Sequence, residues 1–402
     1  MNANENAENE LMARMKVSKA VATMAIPSVI SSLVTVVYNM ADTFFVSQIN
    51  TSASAAVGII FSLMAMIQAV GFTLGMGAGN YISRSLGAKN EDIAVRTAAT
   101  AFFTAIGIGV VMAVTGLSFL DRLVRLLGAT ETIAPYARDY ARYILLGAPV
   151  MTGSFVMNNL LRSQGYAVYA MAGITTGGIL NMILDPVFIF ACHMGVQGAA
   201  LATVISQACS CIWVLSFLFG HKTILRIRKE NLKLQGAVIL PCVALGTSLF
   251  IMQASESVIS VCFNSSLLAY GGDLAVGAMT ILTSVMQFAM LPLQGLGQGA
   301  QPITSYNYGA KNRERVKKSF RLLLTISLIY SVVLWAFILV IPRLFVGMFT
   351  SDATLLDFTS QALRVYCGAL FIFGIQIACQ MTFVSIGSAV CSIIVAVLRK
   401  FV

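Results

Sequence analysis

A carboxylate at the middle of a bilayer costs about 2.5–3.5 kcal/mol even on the lenient insertion scale, so each acid found there needs a reason. Three acids stand inside strongly apolar stretches of this chain: Asp42 in VVYNMADTFFV, Asp185 in GILNMILDPVFIF and Glu256 in MQASESVISV. Asn181 precedes Asp185 by four residues, so on a helix the two share a face. An amide oxygen beside a carboxylate can offer ligands to one small hard cation, or the acid can hold a proton. Pro186 follows at once, removing a backbone donor and able to free a carbonyl nearby. The competing explanation for Asp42 and Asp185 is solvation, since each lies toward the outer end of its segment. The polar run QASES around Glu256 points to a water-accessible cavity.

Other chemistry has little support. The eight cysteines lie mostly in apolar segments and form no CxxC pair, which reads as reduced packing residues. His193 and His221 sit at segment ends without metal-ligand spacing, and there is no HExxH, GxSxG or GxxxxGK[ST]. No enzymatic activity, no cofactor and no metal beyond a sodium ion at Asp185 and Asn181 are expected.

These residues must be positioned by membrane helices. The chain is 58% hydrophobic and 10% charged, against about 25% charged in soluble domains. Its mean hydropathy is +0.84. Apolar runs recur that are long enough to cross about 30 Å of hydrocarbon, and a spanning segment must satisfy its own backbone, so they are helices. Spans are expected near 20–46, 53–83, 94–118, 135–162, 166–192, 196–220, 237–269, 273–306, 318–342 and 357–386, with an eleventh beginning near 388. The fold class is an all-α polytopic membrane protein. Lysines and arginines divide eighteen to six between alternate connections, which places the N-terminus and the basic stretch 221–233 in the cytoplasm. The net charge of +10 is thereby a matter of topology, and nucleic acid is not an expected partner.

The sequence also repeats itself. GAKN occurs in LGAKNED and again in YGAKNRE, an offset of 309 − 87 = 222 between Gly87 and Gly309. The same offset relates Gly75 to Gly297, Gly77 to Gly299, Ser83 to Ser305 and Gly165 to Gly387. A unit of six spans written twice enters the membrane twice from the same side, giving a parallel repeat of the kind found in secondary transporters. The expected organisation is a first lobe over 1–220 with six spans, a cytoplasmic basic linker over 221–236, and a second lobe over 237–402. By the same offset Val402 matches position 180, so the second copy is expected to stop inside its fifth span, either as a truncated form or as a natural variant. Neither candidate counterpart of Asp42, Val261 or Asn264, is acidic, and the halves are chemically unequal.

IPSVISSLVTVVYNMADTFFV, GMGAGNYISRSLGAKN, NNLLRSQG, NMILDPVFIF, GVQGAALAT and QGLGQGAQPITSYNYGAKN together resemble the multidrug and toxic compound extrusion (MATE) family, most closely its bacterial DinF-like branch. The resemblance covers nearly all of 15–402. It implies two helical bundles facing across a central cleft, and exchange of organic, often cationic, drugs for protons or sodium by alternating access. On that resemblance Asp42 matches the first-helix coupling acid, and Pro27 the proline at which that helix bends. Asp185, Asn181 and Thr203 match a proton or cation site. Tyr140 and Asn158 match fourth-helix members of it, with Tyr143 and Asn159 as neighbouring alternatives. Glu256 resembles a seventh-helix acid of the sodium-coupled branch, while the tenth span lacks the acid that would accompany it. Met40, Met157, Met286 and Phe288 are candidates for a permissive pocket, with core or lipid-facing filling as the alternative. The expected setting is a monomer in the bacterial inner membrane, with small organic substrates and the lipid bilayer as partners. Two other functions stand beside transport of drugs. One is a lipid-linked precursor flippase, disfavoured by acidic intramembrane charge and by Arg162 at a cytoplasmic helix end. The other is a non-transporting membrane partner or sensor.

Overall fold

In this computed structural model the described residues are 10–220, 223, 225, 236–350 and 352–401, the side chains of 10, 219, 236–239, 248–250, 252–265, 267–274, 276 and 396–401 excepted. Among them every regular element is helical. The first half contributes α1 (Val17–Ser47), α2 (Thr51–Gly87), α3 (Glu91–Ser118), α4 (Ala134–Ser163), α5 (Ala167–Pro186) and α6 (Val196–Phe219). The second contributes α7 (Gly236–Gly309), α8 (Arg313–Val340), α9 (Ala353–Tyr366), α10 (Leu370–Ile386) and α11 (Ala389–Phe401).

The repeat reappears as geometry. Ser83 Oγ donates to the Ser163 carbonyl at 2.7 Å, and Ser305 Oγ donates to the Ser385 carbonyl at 2.9 Å. Both residues of the second pair stand 222 after those of the first. Thr152 Oγ1 donates to the Ala105 carbonyl at 2.9 Å, and the matching Gly374 packs on the matching Ser327 carbonyl. GAKN itself is a helix-to-helix reversal. Lys89 and Lys311 both adopt φ 58°, the left-handed conformation that ends a helix. Asn90 N bonds the Ser85 carbonyl at 2.8 Å, and Asn312 N bonds the Asn307 carbonyl at 2.9 Å, which closes each last turn in the same way.

The glycine before each reversal answers a second need. A methyl group on Gly87 would sit 1.9 Å from the Tyr306 carbonyl oxygen, and one on Gly309 would sit 2.0 Å from that of Arg84. Tyr306 is Arg84 plus 222, so each half offers the other the same surface, as a two-fold contact demands. Cross-lobe hydrogen bonds gather at this end: Arg84 to the Ile386 carbonyl, Ser305 to Asn80, Arg162 to Gln298, and Asn307 and Arg315 to the Met12 carbonyl. One apolar core runs through this end into both lobes, whereas a second core, around Val46, Ile60, Tyr140 and Ile144, belongs to the first lobe alone. The lobes are therefore joined at the cationic GAKN end.

Two features depart from the expected spans. The residues expected as separate spans near 237–269 and 273–306 form one continuous helical run, α7. Gly77 touches Cys242 and Gly87 touches Tyr306, so two points of α7 that are 306 − 242 = 64 residues apart meet α2 at points ten residues apart. A straight run of that length would extend about 96 Å against about 15 Å along α2. The run therefore reverses direction between the two contacts. The tenth span, expected as one piece over 357–386, is bent by 50° between α9 and α10. There Trp335 Nε1 donates to the Gly368 carbonyl at 2.8 Å, a tertiary partner at the break between the two helices. Eight described helices are long and apolar enough to cross a membrane, or nine counting the bent pair.

Candidate functional site

Helix α1 runs unbroken through Pro27, which leaves one amide missing from its ladder. Ser28, Ser31 and Thr35 bond carbonyls four residues back, at 2.9, 2.8 and 2.9 Å, so this polar face satisfies its hydroxyls internally. Further along, Asp42 is buried at 8% exposure, which removes the membrane-edge explanation for it. Tyr140 reaches Asp42 from α4, its hydroxyl donating to Oδ2 at 3.3 Å. Tyr143 instead packs half-buried against the first-lobe core, so of the two tyrosines it is Tyr140 that meets the acid.

Asp185 closes α5 and is fully buried at 0% exposure. Pro186 ends the α-helical pattern there and a π-helical turn, Val187–Ala191, takes over, with Cys192 N bonding the Val187 carbonyl at 2.9 Å. Asn181 Nδ2 donates to Asp185 Oδ1 at 3.2 Å and to Thr203 Oγ1 on α6 at 3.4 Å. Asp42 acts electrostatically on Asp185, and both acids and Thr203 bear on the Tyr140 hydroxyl. Asp42, Tyr140, Asp185, Asn181 and Thr203 therefore form one buried cluster drawn from four helices.

Its composition is unbalanced. Asp42 Oδ1, Asp185 Oδ2, Asn181 Oδ1 and Asn158 Oδ1 are buried acceptors without a partner. Buried acceptors are nearly always paired, so this oxygen set is chemically fit to receive a proton or a hard cation. A transition-metal site is a poorer match, as no group of three His, Cys, Asp or Glu comes together among the described residues.

In front of the cluster lies a cavity of about 190 Å³. Asn181, Thr203 and Asn158 form part of its wall, and Leu291, Gln294 and Gln298 of α7 cover it from the second lobe. Asp42 and Asp185 do not line it and stand behind Asn181 and Thr203. Asn159, the alternative to Asn158, lines the same cavity, so both asparagines face it. None of Met40, Met157, Met286 and Phe288 lines this cavity, which agrees with the core or lipid-facing alternative for them. Met157 is a core residue, Met286 packs against that core, and Met40 and Phe288 are exposed. Glu256 lies outside the described residues.

Sequence reasoning missed other lining residues. Tyr38 accepts from Gln207 at 3.5 Å at the cavity edge, although the i, i+4 spacing of Tyr38 and Asp42 in YNMAD placed them on one face. Arg162, expected as a topological charge at a helix end, is indeed in the last turn of α4 but is buried at 7% exposure and lines the cavity.

The comparisons follow this architecture. The MatE family profile matches residues 27–187 and 248–402. Multidrug export protein MepA of Staphylococcus haemolyticus (strain JCSC1435) is 27% identical over 358 residues, covering 89% of this chain and 79% of that protein. A solved structure described as the outward-facing conformation of a multidrug resistance MATE family transporter of the MOP superfamily superposes with TM-score 0.91 at 26% identity, over 100% of this chain and 88% of that one. A MATE crystal structure in complex with MaD3S gives TM-score 0.91 at 27% identity, over 100% of this chain and 88% of that one. By the profile match, the shared fold and the duplicated helical bundles, this chain belongs to the MatE family of multidrug and toxic compound extrusion proteins.

Proposed function

We propose that this multi-pass membrane protein exports organic molecules in exchange for protons or sodium, with Asp42, Asp185, Asn181 and Thr203 holding the coupling ion. One observation carries the reading: buried, partnerless carboxylate and amide oxygens stand directly behind the wall of the cavity between the lobes. A proton or Na⁺ there neutralises charge that the low-dielectric interior resists. Tyr140 holds one oxygen of Asp42 and leaves the other for the ion. Asn158 stands on the cavity wall with its Nδ2 on the Ser154 carbonyl and its Oδ1 free for an ion or substrate, and Pro27, with its missing backbone bond, gives α1 a place to bend when Asp42 changes charge. The ion and the organic substrate each favour one arrangement of Asn181 and Thr203, and reciprocity requires that each lowers the other's affinity if they exchange.

The alternating step is a rearrangement of the contact at Gly87, Tyr306, Arg84 and Gly309, which seals the GAKN end. The lobes follow the proposed boundaries, 1–220 and 237–402, joined by the basic linker. With the N-terminus and linker on the cytoplasmic side of a bacterial inner membrane, that seal faces the cytoplasm. The chain acts as a monomer and not as an enzyme. The flippase reading calls for a strongly cationic cleft, and Arg162 is the one charged side chain among the described lining residues.

The test uses the purified chain in weakly buffered detergent with ethidium, recording binding and proton release together, with and without Na⁺. Proton release on binding that disappears in Asp42→Asn supports proton exchange, and binding weakened by Na⁺ without proton release supports sodium exchange. Binding that neither releases protons nor responds to Na⁺ contradicts ion exchange at this cluster.

A further inference from the structure

The only charged group lining the cavity among its described residues is a cation without a counter-charge. Arg162 Nη1 donates to Gln298 Oε1 at 2.7 Å across the lobe boundary, while Nε is buried without a partner. Among the described residues no carboxylate lies within ion-pair distance of it, and no charged neighbour offsets its charge. A guanidinium carries five donors in a planar fork, and its burial is costly unless an anion meets it. Gln298 satisfies one donor and none of the charge. The acids of the coupling cluster are not its partners, because they stand behind Asn181 and Thr203 rather than in the cavity. Asn159 and Gln298 line both this cavity and a smaller one of about 20 Å³ on which Arg162 also borders, so the guanidinium is set among amide groups. Phe72, Phe155, Ile174 and Leu291 supply apolar wall elsewhere in the larger cavity.

We propose that Arg162 is an oxyanion seat, and that the cavity takes amphiphilic organic molecules bearing a carboxylate or phosphate, zwitterions included. The anion meets the guanidinium fork, where paired charge-assisted bonds are strong and directional. The apolar body lies along the aromatic and aliphatic wall. This inference rests on the reading of the cavity as the substrate site and narrows the substrate class beyond organic cations. Arg162 then has two partners in alternation, Gln298 across the lobe boundary and the substrate anion.

Two dyes that differ only at the relevant group provide the test: rhodamine 110, with a free carboxylate, and its methyl ester, rhodamine 123. Binding of each to the purified full chain is read by fluorescence polarisation for the native protein, Arg162→Gln and Arg162→Lys. The expected result is a loss of about tenfold or more for rhodamine 110 in Arg162→Gln, with rhodamine 123 within about twofold of native. Arg162→Lys keeps the charge without the fork and is expected to fall between. Retained binding of the ester also shows that the variant is folded. Displacement of rhodamine 110 by dihexanoyl phosphatidic acid extends the seat to lipid phosphates, and displacement by dihexanoyl phosphatidylcholine as well extends it to zwitterionic phosphodiesters. Failure of both lipids to displace it confines the seat to carboxylates. Equal loss of both dyes in Arg162→Gln, or no loss of rhodamine 110, overturns the seat while leaving the cavity's role intact. Failure of both dyes to bind the native chain overturns the substrate reading, and the seat with it.

Discussion

Alanine at Gly87 or at Gly309 should spring the closed end of the molecule. The new Cβ at Gly87 would lie 1.9 Å from the Tyr306 carbonyl oxygen, where ordinary contact begins at 3.4 Å. The helices must therefore separate by up to 3.4 − 1.9 = 1.5 Å at a contact where both partners are backbone and no side chain can swing aside. Overpacking of this kind costs about 1–3 kcal/mol. At about 1.4 kcal/mol per decade, that raises the population open at the GAKN end by roughly 5- to 150-fold, as long as the open state relieves the clash. The contact is two-fold, so Gly309→Ala, with 2.0 Å to the Arg84 carbonyl, should produce nearly the same shift. The assay is a spin-label distance distribution between Lys89→Cys and Lys311→Cys, both on the reversals, in a background lacking native cysteines. A longer-distance population growing alike in both variants is expected. Unchanged distributions, or a response from only one of the two glycines, would refute the argument that these backbone contacts hold the lobes together.

Three further predictions address the site and its surroundings. Tyr140→Phe removes the 3.3 Å bond to Asp42 while keeping the ring, and it should change ion affinity by up to about tenfold without abolishing exchange, as read by ion competition against a bound dye. Cys192 is exposed in the turn after α5, which the proposed topology places outside, so a membrane-impermeant maleimide added to intact cells should label a variant retaining only Cys192. Labelling only after the cells are opened would reverse the orientation. Trp335→Phe loses the 2.8 Å bond to the Gly368 carbonyl and should cost about 1 kcal/mol of stability, measured by thermal unfolding in detergent against native protein. An unchanged midpoint would show that this bond contributes nothing to stability.

The parts of the site written within one helix were legible in the sequence. Asn181 and Asp185 share a face because helical spacing requires it, and the structure joins them at 3.2 Å. The repeat was legible for a similar reason, since one offset of 222 predicts partners as well as positions, and Ser83–Ser163 and Ser305–Ser385 meet it. What depends on contact between helices was not. Tyr140 and Tyr143 are close in sequence, and only the seating of α4 among α2, α3 and α6 selects the one that reaches Asp42. Arg162 falls in the last turn of a helix on the cationic side, where a basic residue is ordinarily a topology signal, and its burial against Gln298 depends on a residue 136 positions away. The bend at Gly368 coincides with a tertiary bond from Trp335, which no local pattern announces. Hydropathy alone divides α7 into two spans without showing that the helical run continues through the turn between them.

The central claim, that the buried acids couple organic export to an ion gradient, is tested most directly in proteoliposomes containing the full chain. A gradient of protons or of sodium, concentrated inside, is imposed, and accumulation of a fluorescent lipophilic cation is followed for native protein, Asp42→Asn and Asp185→Asn. The account predicts uphill accumulation by the native chain that collapses with the matching ionophore and is absent from both variants. Native-level accumulation by either variant would contradict it.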